Sequence, residues 1–284
     1  MKRMLLFVLT GAVALAMLVV VQGCGVLGGP PAGVAVGAGP GDSDSTVLVS
    51  WTVPSEGAAD KYIVYFRPVT DSGYAIVGET TGTSYAHNPH GITGQYKVSA
   101  VFGGSSYDGA EKPTTVPIHS AATTLFEINA DSSHCGYGWT RDSGIGRVFA
   151  MTESANCAHV DFYISDRQVG VGSPLCIISP NMHVDTIDPG AGIVPSAAWR
   201  ANGFTNPLLD AQSPLTAYVA PPNATYFIYT QVSGIHPCYV GCYTAGDTLK
   251  HYALIQVDSS DVTSGKVWMQ SWYQLVPGLR LIRH

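Results

Sequence analysis

The sequence predicts an all-β protein of two domains behind an exported N-terminus. Three observations carry this. Short apolar stretches recur between turn residues along the chain, and no helical periodicity persists for a dozen residues. Glycine and proline are abundant, 32 and 18 of 284 residues, whereas charged residues make up only 12%, about half the usual ~25%. The first two dozen residues read as an export signal. A hydrophobic content of 46% excludes the disordered class, and a coiled-coil composition is absent. A net charge of -6 argues against nucleic acid as a main partner.

Lys2 and Arg3 give a positive start, and residues 4–21 form an almost unbroken apolar run. A small residue before the cut completes a signal over residues 1–23. The run also approaches the ~18–20 apolar residues that span a bilayer, so an uncleaved anchor is the competing reading. Val21-Gln22-Gly23-Cys24 resembles the bacterial lipobox, with Gln22 a less usual occupant of its position. The resemblance implies that the Cys24 thiol is diacylated and that Cys24 begins the mature chain. Each buried acyl CH₂ would contribute ~0.8 kcal/mol to membrane attachment. Residues 24–32 then hold the lipidated cysteine and a flexible Gly/Pro tether. Gly25 stands where an aspartate retains enterobacterial lipoproteins at the inner membrane. The resemblance therefore implies the outer membrane in an organism with two membranes.

Six cysteines would suggest three bridges in an exported protein. With Cys24 lipidated, five remain and one stays unpaired. Cys238 and Cys242, with Gly241 between them, are expected to form a local pair. Cys135, Cys157 and Cys176 supply one further pair and one leftover thiol, in no order that the sequence chooses. His236 and His251 flank the pair, but structural zinc uses two knuckles and only one is present. No metal and no cofactor is expected.

The first domain, residues 33–120, carries seven candidate strands at 33–39, 46–51, 61–68, 75–79, 83–87, 95–102 and 114–118. Seven short strands in some ninety residues point to a β-sandwich. Tyr62, Val64 and Phe66 alternate onto one face, as do Tyr96, Val98, Ala100 and Phe102. Three segments resemble a fibronectin type III domain. They are Val47-Leu48-Val49-Ser50-Trp51-Thr52-Val53-Pro54, Lys61-Tyr62-Ile63-Val64-Tyr65-Phe66-Arg67-Pro68 and Gly94-Gln95-Tyr96-Lys97-Val98-Ser99-Ala100-Val101. The resemblance implies that Trp51 is the core tryptophan and Tyr96 the tyrosine-corner residue, and that the domain is a spacer or binding module. Pro113 and Pro117 weaken the last strand, which suits an edge. His87 and His90 flank Pro89 and read as turn residues.

The second domain, residues 121–284, is also strand-rich. Strands are expected at 124–130, 147–152, 159–165, 175–179, 224–232, 251–258, 266–275 and 279–283. A long connection at 180–222 contains Pro189, Pro195, Pro207, Pro214 and Pro221, with helical turns expected at 196–202 and 208–212. Segments 226–230, 251–257 and 265–274 look like three consecutive antiparallel strands. They bear a faint similarity to haem-binding lipoproteins of the HmuY type, which implies haem or metal capture as an alternative function.

No nucleophile elbow, P-loop or H-E-x-x-H motif is present. Gly170–Pro174 is glycine-rich but reads as a turn. Among Glu127, Glu153, Asp161, Asp166, Asp185 and Asp188, no spacing singles out a catalytic pair. Asp161 reads onto a solvated strand face, and Asp185 and Asp188 read as turn formers. His134, His159, His183, His236, His251 and His284 form no i, i+2 or i, i+4 pair. No catalytic residue is assigned. The binding signal is aromatic. Trp268, Gln270, Trp272 and Gln274 share one strand face, opposite Val267, Met269, Tyr273 and Leu275. Two indoles and two amides make an amphipathic platform for a sugar or peptide. Tyr137 and Trp139, between Gly136 and Gly138, form a second aromatic cluster that the glycines could expose. These features predict a non-catalytic envelope lipoprotein, held to the membrane by lipid, that binds a glycan or an envelope protein through its C-terminal domain. An envelope polysaccharide hydrolase with an accessory N-terminal domain is the enzymatic alternative.

Overall fold

The computed structural model describes residues 28–39, 46–166, 175–178, 180, 199–200, 202–205, 226–228, 236–242 and 251–282. Cys24, Asp185, Asp188, His183, His284, the 170–174 turn and the helical turn expected at 208–212 lie outside the described residues.

Among the described residues, seven strands build the first sandwich: β1 (Ala32–Ala38), β2 (Val47–Thr52), β3 (Lys61–Pro68), β4 (Ala75–Thr80), β5 (Ser84–His87), β6 (Gly94–Phe102) and β7 (Ser105–Asp108). A three-stranded sheet, β1-β2-β5, faces a four-stranded sheet, β4-β3-β6-β7. All pairings in both are antiparallel. Alternation dictates which side chains enter the core. Val47, Val49 and Trp51 from β2 meet Tyr62, Val64 and Phe66 from β3 and Tyr96, Val98 and Ala100 from β6. The rings of Trp51 and Tyr62 stand 5.2 Å apart. Each buried aliphatic or aromatic side chain there contributes about 1.5–3 kcal/mol.

Three local expectations are corrected. The seventh strand is Ser105–Asp108, a hairpin partner of β6. Segment 114–117 keeps only a single bridge, Gln95 to Thr114, because Pro113 and Pro117 bring no N–H to a ladder. Tyr96 is fully buried, but its hydroxyl meets His87 Nδ1 at 2.9 Å. His87 accordingly belongs to β5 and packs on Phe66, while His90 does occupy a turn, at a φ of 51°.

Among the described residues, ten strands build the second sandwich: β8 (Ile118–Phe126), β9 (Gly136–Trp139), β10 (Gly146–Phe149), β11 (Phe162–Ser165), β12 (Cys176–Ile178), β13 (Asn202–Thr205), β14 (Tyr226–Ile228), β15 (His236–Cys242), β16 (His251–Asp261) and β17 (Lys266–Tyr273). They form two five-stranded sheets, β10-β9-β11-β12-β14 and β13-β15-β16-β17-β8. Between them lies a core that includes Leu125, Tyr137, Trp139, Phe162, Ile164, Ile177, Ile255, Val257, Val267, Met269 and Tyr273. In the first of these sheets, β9 and β11 are buried on both faces. Tyr163 and Ile178 turn outward into a further cluster with Ile128, Cys135, Met151, Cys157, Val160 and Trp199.

The expected run of three consecutive strands is therefore divided. β16 and β17 pair, but β14 joins the other sheet beside β12, and β15 takes its place against β16. Asn202, the end of an expected helical turn, begins β13. β8 starts at Ile118, so one strand crosses the expected domain boundary at 120/121. Of the expected last strand, 279–283, the described residues 279–282 are not strand and lie between the two sandwiches. Leu279 and Leu281 pack into the core of the first sandwich, and Ile282 packs on the second.

Candidate functional site

The strand β17 presents Lys266, Trp268, Gln270 and Trp272 to the outside of its sheet, while Val267, Met269, Ser271 and Tyr273 point inward. This alternation agrees with the expected platform. The surroundings of the four platform residues do not. Trp268 is the one indole with substantial exposure, 36%, and Gln270 is half-buried. Trp272 and Gln274 are buried.

The accessible half is built around two irregularities that flank Gln270. On one side, β16 pairs Val257 with Met269 and Ser259 with Trp268, leaving Asp258 as the extra residue of a bulge. On the other, β8 pairs Thr123 with Met269 and Ser120 with Ser271, so Ala121 and Ala122 stand against Gln270 alone. Bulges re-aim side chains, and here they gather a polar chain. Gln270 Nε2 donates to Asp258 Oδ1 at 3.1 Å, and Gln256 Nε2 donates to the same oxygen at 3.0 Å. Gln270 Oε1 is left to accept, so His119 donates from Nε2 at 3.0 Å. The His119 ring stacks on Trp272, with centroids 4.8 Å apart and planes 18° apart. Imidazole, amide and carboxylate are thus locked in one orientation beside the exposed indole.

The other half of the face is covered. Tyr252, Leu254 and Trp272 pack with Ile282, and Arg280 lies over the Tyr252 ring at 5.7 Å. Gln274 turns away from solvent. Its Nε2 donates to the Thr115 carbonyl at 2.9 Å and to the Leu281 carbonyl at 2.6 Å, while its Oε1 accepts from the Val276 amide. Gln274 thus stands at the junction between the two sandwiches. His119, Gln256 and Asp258 escaped sequence reasoning. Asp258 and Gln256 stand at i, i+2 on one strand, but the bulge that brings Asp258 to Gln270 leaves no periodic signal.

The second aromatic cluster is internal. Tyr137 and Trp139 are almost wholly buried. The flanking glycines do not expose them; they admit backbone to the opposite face. A Cβ on Gly138 would lie 1.8 Å from the His159 carbonyl oxygen, and one on Gly136 would crowd the Phe149 carbonyl at 3.1 Å. The polar tips meet at one hydroxyl: Trp139 Nε1 donates to Ser271 Oγ at 3.0 Å, and Tyr137 Oη meets it at 2.9 Å.

Asp161, expected on a solvated face, is fully buried. Its carboxylate takes Arg141 at 2.8 and 3.2 Å, Arg200 at 2.9 Å and the Trp139 amide at 2.9 Å. Two guanidinium groups and a backbone amide make this carboxylate a structural anchor. Glu127 is also buried, capping a turn by accepting from the Asn129 and Ala130 amides and from Asn129 Nδ2. Burial first, and then the Asp166 carboxylate, push its pKa above the ordinary value. His134 pairs with Asp131, His159 stacks on Phe149 and His251 stacks on Tyr273. Among the described residues, no group of three His, Cys, Asp or Glu is arranged to hold a metal ion.

Cys135 and Cys157 are buried free thiols in the same apolar cluster, and burial pushes the Cys135 pKa up to about 12. Cys238 and Cys242 lie four residues apart within β15. A strand advances about 3.3 Å per residue, placing their Cα atoms roughly 13 Å apart. Cys176 stands in β12, opposite Ser165 on β11.

No family model and no curated protein matches the chain. Among solved structures, the chain is similar to a structure of FN3tt mut at 24% identity, over 30% of this chain and 89% of that one, with a TM-score of 0.25. The crystal structure of FN3tt is similar at 20% identity over 30% and 92% of the two chains, with a TM-score of 0.23. The titin kinase with its flanking domains is similar at 12% identity over 87% of this chain and 37% of that one, with a TM-score of 0.27. The fibronectin type III-like character of the first sandwich stands on its three-plus-four strand arrangement.

Proposed function

We propose that the chain is a non-catalytic lipoprotein of the cell envelope that binds a neutral saccharide on the outer face of its second sandwich. The observation that carries the reading is the Trp268 indole, exposed beside the braced His119–Gln270–Asp258 chain. A sugar ring offers an apolar face to an indole and hydroxyls to amide and carboxylate groups. Asp258 disfavours an anionic ligand, and the polar chain disfavours a purely apolar one.

The lipid on Cys24 would hold the protein to the membrane. Gly28 lies against the Phe102 and Tyr107 rings, at one end of the first sandwich. The junction lies at the other end, where the Thr115 amide donates to the Gly94 carbonyl. The nine residues of β6 between these ends make a spacer of about 30 Å. The expected test has two parts. Cys24→Ala releases the protein from the membrane fraction and removes the acyl mass. The wild type co-sediments with insoluble neutral polysaccharide, and Trp268→Ala stays in the supernatant. A soluble wild type, or a Trp268→Ala variant that still sediments, contradicts the reading.

A further inference from the structure

We infer that segment 276–282 is an internal strap that makes the two sandwiches one cooperative unit, the first having its core completed by a segment that follows the second in the chain. Neighbouring residues of the strap face opposite ways. Val276, Leu279 and Leu281 enter the core that holds Val49, Tyr62, Phe66 and Val98. Ile282 closes on Tyr252, Leu254 and Trp272 of the second sandwich, and Arg280 covers the Tyr252 ring. Leu279 is fully buried, and it lies 171 positions after the end of β7 (Asp108 to Leu279).

Gln274 fastens the strap at its root. Its one amide joins the Thr115 carbonyl of the inter-sandwich link to the Leu281 carbonyl, and all of these groups are buried. A buried amide of this kind is costly to leave unsatisfied, so link and strap are held together or lost together. The strap is also the occupant of the apolar half of the outer sheet face. This confines an external ligand to the end that carries Trp268.

A consequence concerns the order of folding. A chain that emerges N-terminus first cannot finish its first core until residues 276–281, which follow the second sandwich, arrive. The sandwich nearest the membrane anchor therefore matures last, or together with the second. This separates the strap from a mere surface tail, which would leave each sandwich independent.

Native-state hydrogen exchange on the full chain, read by peptide mass, tests this. Val49→Ala injures only the first core, far from the second sandwich in sequence. Leu279→Ala injures the strap. With the strap coupling the sandwiches, each substitution raises exchange at least tenfold in peptides covering β3 and β6 and, equally, in peptides covering β16 and β17. A rise confined to the first sandwich in both variants overturns the inference. If Leu279→Ala prevents folding, Val49→Ala alone decides, since its lesion touches no residue of the second sandwich.

Discussion

Asp161 and Arg141 meet as a two-point pair inside the second sandwich, Nη2 to Oδ1 at 2.8 Å and Nη1 to Oδ2 at 3.2 Å. Arg200 closes on the same carboxylate at 2.9 Å. Removing the acid leaves two guanidinium groups facing each other with little access to water. Breaking a buried pair in this way costs about 3–5 kcal/mol. Asp161→Ala is therefore expected to lower the urea midpoint sharply. Asp161→Asn keeps the acceptor for Trp139 and loses less. Equal stability of Asp161→Ala and wild type would remove the structural role assigned to this acid.

Ser271 holds the two polar tips of the main core. Ser271→Ala orphans the Trp139 indole N–H and removes one of the two serine partners of the Tyr137 hydroxyl, leaving Ser120. The expected loss is about 2 kcal/mol, read as a fall in the denaturation midpoint. Ser271→Thr retains the hydroxyl and should recover part of it.

Glu127 sets a pH dependence of known sign. Its folded pKa is raised, by burial first and by the Asp166 carboxylate next. The folded state therefore binds the proton more tightly than the unfolded chain. The stability this gives is complete below the unfolded pKa and is lost as pH rises through the folded one. Wild type is expected to lose stability relative to Glu127→Gln as pH climbs from below 4.5 toward neutrality. Paired urea titrations at several pH values check this, and a difference that stays flat with pH contradicts it.

Cys135 and Cys157 are expected to resist alkylation in the native protein. Burial shields both thiols, and for Cys135 it pushes the pKa up to about 12, so thiolate is scarce. Peptide mass mapping after a short iodoacetamide pulse should find both unmodified without denaturant and both modified in its presence.

The first sandwich was legible because its strands alternate cleanly. Val47, Val49 and Trp51, like Tyr62, Val64 and Phe66, are the pattern of a two-layer β core. The second sandwich hid strands whose residues are poor strand formers. β9 is GYGW, β13 is NGFT and β15 is HPCYVGC. In β9 the glycines serve close backbone approach, a tertiary fact that no local pattern carries. The outer face of β17 was half legible. Period-2 alternation found Trp268 and Gln270, but the bulge at Asp258 and the strap over Trp272 are long-range features. Asp161 misled for the same reason: its partners Arg141 and Arg200 lie 20 and 39 residues away.

Calorimetric titration of the folded protein with neutral oligosaccharides, cellotetraose and N-acetylchitotetraose, tests the binding face most directly. At least one should give a saturable isotherm. Trp268→Ala should weaken it tenfold or more, because an exposed stacking indole is lost while the core stays intact. Gln270→Ala should weaken it less. No heat from either saccharide at millimolar concentration, or an isotherm unchanged in Trp268→Ala, would contradict the saccharide assignment.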